Sequence, residues 1–308
     1  MTDEPSDVVL PVATRCGFVA LIGAPNAGKS TLLNQLVGAK LSIVSPKVQT
    51  TRSRLLGIVI AGEAQLIFVD TPGIFAPKRR LDRAMVAAAW AGADDADIVV
   101  LLVDAARGAD ADTDAIIARL KAAGRRAVLA LDKVDLVAPA QLLPLADQLS
   151  REGIFDPVFM VSGLTGDGVG DLRGHLAAAL PEGPWLFPED QLTDLPQRVM
   201  AAETTREQIF LQLHQELPYA ATVETERWEE RPDGSVRIEQ VVHVQRASQK
   251  AIVLGKGGRQ IKEIGARARA ELEQVLGRRV HLFLFVRVSE DWTEDRERYK
   301  AMGLDFES

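Results

Sequence analysis

The amino-acid sequence predicts an α/β fold built on a doubly wound, mostly parallel sheet, followed by a smaller α+β unit. Three observations predict it. Up to residue 180, short apolar runs alternate with stretches of three-to-four-residue apolar spacing, and strand alternating with helix means a mostly parallel sheet covered on both faces. Beyond residue 196 the order changes to helix, two strands, helix, strand. Where the first apolar run meets the first helical pattern, Gly23-Ala-Pro-Asn-Ala-Gly-Lys-Ser30 has the GxxxxGKS spacing of a phosphate loop.

Strands are expected near 17–22, 55–60, 65–70, 97–103, 127–131 and 158–161, and helices over 30–37, 81–92, 110–123, 139–150 and 169–180. Pro181, Gly183, Pro184, Pro188 and Pro196 then break every period, as in a linker. A helix over Gln197–Gln215 follows, then strands Ala221–Glu229 and Val236–Gln245. They are joined by Arg231-Pro-Asp-Gly234, whose Asp-Gly pair supplies the positive φ of a tight hairpin. A glycine break at 255–258, a helix to Leu276 and the strand Val280–Val288 complete the order. The expected division is an N-terminal extension with the start of the first strand (1–16), a first domain (17–180), a linker (181–196) and a second domain with its tail (197–308).

The composition, 47% hydrophobic and 26% charged, is that of a soluble globular protein. No apolar run reaches a membrane span, and the acidic start, Met1 to Asp7, lacks the basic region of a signal peptide, so a cytoplasmic location is expected. One cysteine, Cys16, excludes internal disulfides and reads as a small core residue; the four histidines are scattered without metal-ligand spacing. The net charge of −7 argues against a uniform nucleic-acid coat. Yet Arg246 to Arg287 holds ten Lys or Arg against three acids, a local excess of +7 that suits a polyanion-binding face or a solvated helix surface.

The chemistry gathers at strand ends. Gly23, Ala24, Pro25, Asn26, Ala27, Gly28, Lys29, Ser30 and Thr31 would wrap a polyphosphate: glycines let backbone N–H groups turn inward, Lys29 neutralises the outer phosphates, and Ser30 reaches Mg²⁺. Asp70-Thr71-Pro72-Gly73 ends the third strand, where Asp70 can hold Mg²⁺ through water and the Gly73 N–H can sense the terminal phosphate. Between them, Val48-Gln-Thr-Thr-Arg52 lies on an unpatterned segment; a threonine there completes Mg²⁺ coordination, Thr51 by preference with Thr50 as competitor. Lys29, Thr51 and Gly73 are the residues expected to act in hydrolysis. Asp132-Lys133-Val134-Asp135 and Ser162-Gly163 form the base end. The Asp135 carboxylate can accept from guanine's ring N–H and exocyclic amine, an arrangement adenine cannot offer, which selects GTP.

In the second unit, Gly255-Lys256-Gly257-Gly258 with Arg259 and Lys262 has the form of the GxxG loop of a KH domain, where backbone approaches a sugar-phosphate strand and cations lie beside it. Arg278 and Arg279 fit that face or a solvated helix end equally.

The phosphate loop, Thr-Thr-Arg segment, Asp-Thr-Pro-Gly, Lys-x-Asp and Ser-Gly motifs, in that order, resemble the Era family of bacterial GTPases. The resemblance continues through Pro188-Glu-Asp190, Arg198, Glu203, Arg206-Glu207, Glu216 to Tyr219, Ser248-Gln-Lys250, the GxxG loop and Asp291-Trp292. It implies a P-loop GTPase domain followed by a type II KH domain, GTP/GDP and Mg²⁺ as ligands, and potassium near Asn26. It also implies slow hydrolysis stimulated by K⁺ or a partner, with Ile74 in place of a water-positioning glutamine. The implied partners are the 3′ region of 16S rRNA and the 30S subunit, with peripheral membrane contact described for the family; a monomer is expected. Two positions depart from the pattern: Asp132 replaces asparagine, and Gly163 replaces alanine. Since an aspartate can only accept where the amide also donates, weakened but guanine-selective binding is expected. A constitutive RNA-binding scaffold with a structural nucleotide is the alternative, and a phosphate-loop kinase would leave three of the motifs without a role.

Overall fold

The computed structural model of the chain describes residues 13–45, 47, 50–52, 54–214 and 217–308; the acidic start, Val48 and Gln49, and Gln215 and Glu216 lie outside the described residues. The first unit runs β1 (Arg15–Gly23), α1 (Lys29–Val37), β2 (Leu55–Ala61), β3 (Ala64–Asp70), α2 (Arg80–Asp95), β4 (Ile98–Asp104), α3 (Ala111–Ala122), β5 (Ala127–Asp132), α4 (Pro139–Ser150), β6 (Phe155–Met160) and α5 (Val169–Ala179). Its six strands lie in the order β2-β3-β1-β4-β5-β6, parallel except for the β2–β3 pair. That exception follows from chain length: β2 and β3 are joined by a two-residue turn at Gly62, which adopts φ +60°, and so short a connection can only make a hairpin.

Side chains alternate across the sheet, so each face buries its own helices. Val19, Leu21, Phe68 and Leu102 face Leu32, Leu33 and Leu36 of α1 and Leu172 and Leu176 of α5. Ala20, Ile22, Leu101 and Leu129 face Trp90 of α2, Ile116 and Leu120 of α3 and Leu149 of α4. Because β1, β3, β4 and β5 end at Gly23, Asp70, Asp104 and Asp132, all four tips open on one edge of the sheet, where ligands of such folds bind. The last strand starts three residues before the predicted 158, since it runs through Pro157; an edge strand tolerates a proline because no neighbour needs its missing N–H.

The proline-rich stretch predicted as a linker runs along the β2 edge. Leu192 O accepts from Ile58 N–H at 2.8 Å, and Gln65 Nε2 donates to Phe187 O at 2.8 Å. Trp185 and Phe187 cover Leu56, Ile67 and Cys16, which is a core residue as read.

The second unit runs α6 (Gln197–Gln212), β7 (Ala221–Glu230), β8 (Val236–Val244), α7 (Ala247–Leu254), α8 (Arg259–Leu276), β9 (Val280–Val288) and α9 (Arg296–Ala301). β7 and β8 are antiparallel, while β8 and β9 are parallel, as the intervening helices allow. α6 stops at Gln212 rather than Gln215. α7 and α9 were not predicted: both are short, and α9 carries four charged residues in six, which hides any apolar period. No helix of the described residues is long and apolar enough to cross a membrane.

Candidate nucleotide site and nucleic-acid interface

The phosphate loop begins at Gly23 and turns into α1 at Lys29. Gly28 adopts φ +104° and Asn26 φ +64°, the left-handed conformations that curl the loop. Gly73 approaches so closely that a Cβ on it would lie 2.9 Å from Pro25 Cα. Lys29 is 6% exposed; its Nζ donates to Gly23 O and Ala24 O at 3.0 Å each, and burial pushes its ammonium down to about 8, only partly offset by Asp70. A cation held in that way is only partly balanced by Asp70, and a polyphosphate brings the remaining counter-charge. Pro25, Asn26, Gly28, Lys29, Ser30, Thr31, Thr50, Thr51, Gly73 and Lys133 line a cavity of about 340 Å³, enough for the phosphates and their surroundings.

Three hydroxyls converge on one carboxylate oxygen at the floor of this cavity. Asp70 Oδ2 accepts from Ser42 Oγ at 2.8 Å, Ser30 Oγ at 3.0 Å and Thr51 Oγ1 at 3.4 Å, and Ser30 Oγ lies 2.9 Å from Thr51 Oγ1. Asp70 is fully buried, its Oδ1 has no hydrogen-bond partner, and burial raises its carboxyl against those hydroxyls and Lys29. An orphaned carboxylate oxygen beside clustered hydroxyls is a donor set that fits a hard divalent cation. Thr51 belongs to the cluster and Thr50 does not: Thr50 Oγ1 donates to Lys47 O at 3.2 Å. Ser42 was not singled out in the sequence, because a lone serine in unpatterned chain carries no signal.

Around this floor the remaining predicted residues take other positions. Ala24 and Ala27 are buried, and Thr71 Oγ1 donates to Leu21 O at 2.8 Å. Ile74 follows Pro72 and Gly73 and points into the core with Trp90 and Ile116. At the base end Lys133 adopts φ +64° and extends its Nζ to Asn26 O and Asp104 Oδ2, both at 2.6 Å. Ser162 Oγ donates to Asp135 Oδ1 at 2.6 Å, Gly163 N–H donates to Asp132 Oδ1 at 2.8 Å, and Val134 packs partly on the core. The glycine at 163 has a local cause, since a Cβ there would sit 2.9 Å from Leu32 N.

In the second unit Gly255, Gly257 and Gly258 adopt φ of +68°, +63° and +75°, so a sharp turn joins α7 to α8. Lys256, Arg259 and Lys262 are exposed around it and form no ion pair among the described residues, whereas Arg278 pairs with Glu230. Ile252, 56% exposed one turn before the loop, adds an apolar neighbour that the sequence reading did not single out.

The threonine-bearing segment between α1 and β2 also touches the second unit. Arg206 Nη2 donates to Thr50 O at 2.5 Å, Glu207 Oε1 accepts from Val44 N–H at 2.8 Å, and Lys40 Nζ lies 2.5 Å from Glu207 Oε2 and also pairs with Glu271. Arg52 donates to Ala221 O and Tyr219 O at 2.9 Å. On the far side, Tyr299 and Leu304 pack on Ala84 and Met85 of α2.

Comparison with known proteins agrees with this arrangement. The family model described as a 50S ribosome-binding GTPase matches residues 18–133, and a KH domain model matches residues 216–293. The GTPase Era of Rhizobium meliloti (strain 1021) is 59% identical over 307 residues, covering 99% of this chain and 98% of the relative. That of Brucella suis biovar 1 (strain 1330) is 59% identical over 293 residues, covering 95% of this chain and 94% of the relative. Two solved structures, a variant of Aquifex aeolicus Era bound to GDP·AlF₄⁻ and Era in complex with MgGDPNP and nucleotides 1506–1542 of 16S ribosomal RNA, each superpose with a TM-score of 0.89. Each is 38% identical and covers 94% of this chain and 99% of its own. With a P-loop GTPase sheet, a KH unit and relatives matched along nearly its whole length, the chain belongs to the Era family of GTPases.

Proposed function

We propose that the chain is a GTP-hydrolysing switch that binds the 3′ region of 16S rRNA through its KH unit and assists assembly of the 30S subunit. The observation that carries this reading is the double use of one segment. Thr51 meets Ser30 and Asp70 at the floor of the nucleotide cavity while its neighbours Thr50 and Arg52 hydrogen-bond to the KH unit. Any change at the terminal phosphate therefore reaches α6 directly. Relatives solved with a guanine nucleotide, and in one case with a 16S rRNA fragment, support the ligands assigned.

In this reading the domains are 17–180 for the GTPase, 181–196 for the linker and 197–308 for RNA binding. Backbone N–H groups of Gly23 to Thr31 and the Lys29 ammonium bind and orient the phosphates. Asp135, held by Ser162, selects guanine. Ser30 and Thr51 directly, and Asp70 through water, would hold Mg²⁺, which when bound neutralises charge on the two outer phosphates. Asn26 would face a potassium ion. Gly255 to Gly258 admit the RNA backbone, with Lys256, Arg259 and Lys262 beside it. The setting is a cytoplasmic monomer with at most peripheral membrane contact; α8 is amphipathic but nearly balanced in charge, and Ile264, Ala268 and Leu272 on its apolar face are already buried.

A phosphate-release assay tests the reading. GTP and not ATP should be hydrolysed, faster with a 16S rRNA 3′ fragment and faster in potassium than in sodium. Equal turnover of ATP, or a GTP rate insensitive to RNA and to both cations, would refute it.

A further inference from the structure

Asp132 stands where the resemblance drawn from the motifs implies an asparagine, and its surroundings restrict the form in which it can do that residue's work. It ends β5 at 1% exposure, in register with Asp104 at the end of β4. Two carboxylates thus stand at adjacent strand tips beside one ammonium, that of Lys133. This ammonium is committed elsewhere, to Asp104 Oδ2 and to Asn26 O. Asp132 Oδ1 takes the Gly163 N–H, and Oδ2 presses on Gly28 so closely that a Cβ there would lie 1.8 Å from it. The other ionisable groups of this corner are Asp135 on the same loop, Lys29 in the phosphate loop, whose Nζ turns to Gly23 O and Ala24 O, and Arg107 after β4, which reaches Pro25 O and pairs with Asp110; the Ser162–Gly163 pair brings none. An ionised Asp132 is therefore a buried charge without its own counter-ion, in a site that receives a polyphosphate.

An asparagine amide donates one hydrogen bond that a carboxylate cannot, whereas a neutral carboxyl group has one O–H to give. We propose that Asp132 is the neutral acid in the nucleotide-bound protein and carries its O–H on Oδ2, the oxygen that lies against the phosphate loop at Gly28, standing in for the missing amide. Asp132 is then a positioning residue, and guanine nucleotide binding takes up one proton from solvent whenever Asp132 is ionised beforehand. Burial first, and the Asp104 carboxylate after it, raise Asp132 above the ordinary carboxylate range, against the N–H groups of Gly163 and Lys133 and the Lys133 ammonium. Affinity is therefore greatest at acidic pH and falls by up to about tenfold per pH unit once the free protein's Asp132 ionises.

This inference rests on the guanine-nucleotide reading, and one titration separates the two. Binding of fluorescent mant-GDP and mant-ADP to the full chain is measured between about pH 5.5 and 8.5 for the native protein and Asp132→Asn. Nucleotide ionisation affects both proteins alike, so the ratio of their affinities isolates Asp132. The expected ratio moves at least about tenfold in favour of Asp132→Asn as pH rises across this range. A ratio that stays flat while both proteins prefer mant-GDP overturns the proposal alone; no preference for mant-GDP in either protein overturns the guanine reading. Asp104→Asn frees Lys133 to pair with Asp132 and should shift the loss of affinity to lower pH. An unmoved profile in a variant that still melts cooperatively would contradict the shared-ammonium geometry.

Discussion

Lys29 shows how a binding residue can oppose the stability of its own fold. Its ammonium is buried among carbonyls and is pushed from the ordinary lysine range to about 8. A group whose folded value lies below its unfolded one destabilises the fold at pH below both, and that cost fades as pH rises from about 8 towards the unfolded value. Lys29→Met should therefore make the nucleotide-free protein more stable at pH 7, by less than about 3 kcal/mol because buried Asp70 and the carbonyls of Gly23 and Ala24 lose their partner, while abolishing GTP binding. Chemical denaturation without nucleotide checks the first half and nucleotide titration the second; a less stable variant would contradict this electrostatic picture. Gly163→Ala, which installs the residue the resemblance implies there, should weaken rather than strengthen this protein, by about 1–2 kcal/mol, because the new methyl meets the Leu32 N–H turn of α1. A melting temperature at or above that of the native chain would show that α1 can move aside.

At the scale of elements, the segment between α1 and β2 is held by α6 through Arg206 and Glu207, and Glu207 in turn holds Lys40 and the Val44 N–H. Burial raises the Glu207 carboxyl against those two donors. Glu207→Ala removes the acceptor of the Val44 N–H and leaves Lys40 with Glu271 alone, and should cost about 1–3 kcal/mol of stability. It should also weaken the dependence of RNA binding on nucleotide, with affinities in the GTP and GDP states converging. An undiminished difference would mean that the coupling runs elsewhere, for instance through α9 and α2. The same elements show what the sequence made legible. Strand–helix alternation and the GxxxxGKS spacing were readable because an apolar period and a fixed motif are local properties. Arg206 and Glu207 were visible only as part of a family resemblance, since what they grip lies more than 150 residues away in sequence. Ser42 was not readable at all, because its hydroxyl gains meaning only from the Asp70 oxygen it meets. α7 escaped because an eight-residue helix next to glycines barely completes two turns of pattern.

At the scale of the whole molecule, an acidic chain of net charge −7 carries a local excess of cations on one stretch of the KH unit, and both the Thr51-bearing segment and α2, the helix after Gly73, touch that unit. In the proposed function the state of the phosphate sets the affinity for RNA, and by linkage RNA must change the preference for GTP over GDP by the same factor. The most direct test is the binding of a 16S rRNA 3′ fragment to the full chain, saturated in turn with GDP and with a non-hydrolysable GTP analogue. Tighter binding in the GTP-like state, by at least about fivefold, is predicted; equal affinities in the two states would contradict it.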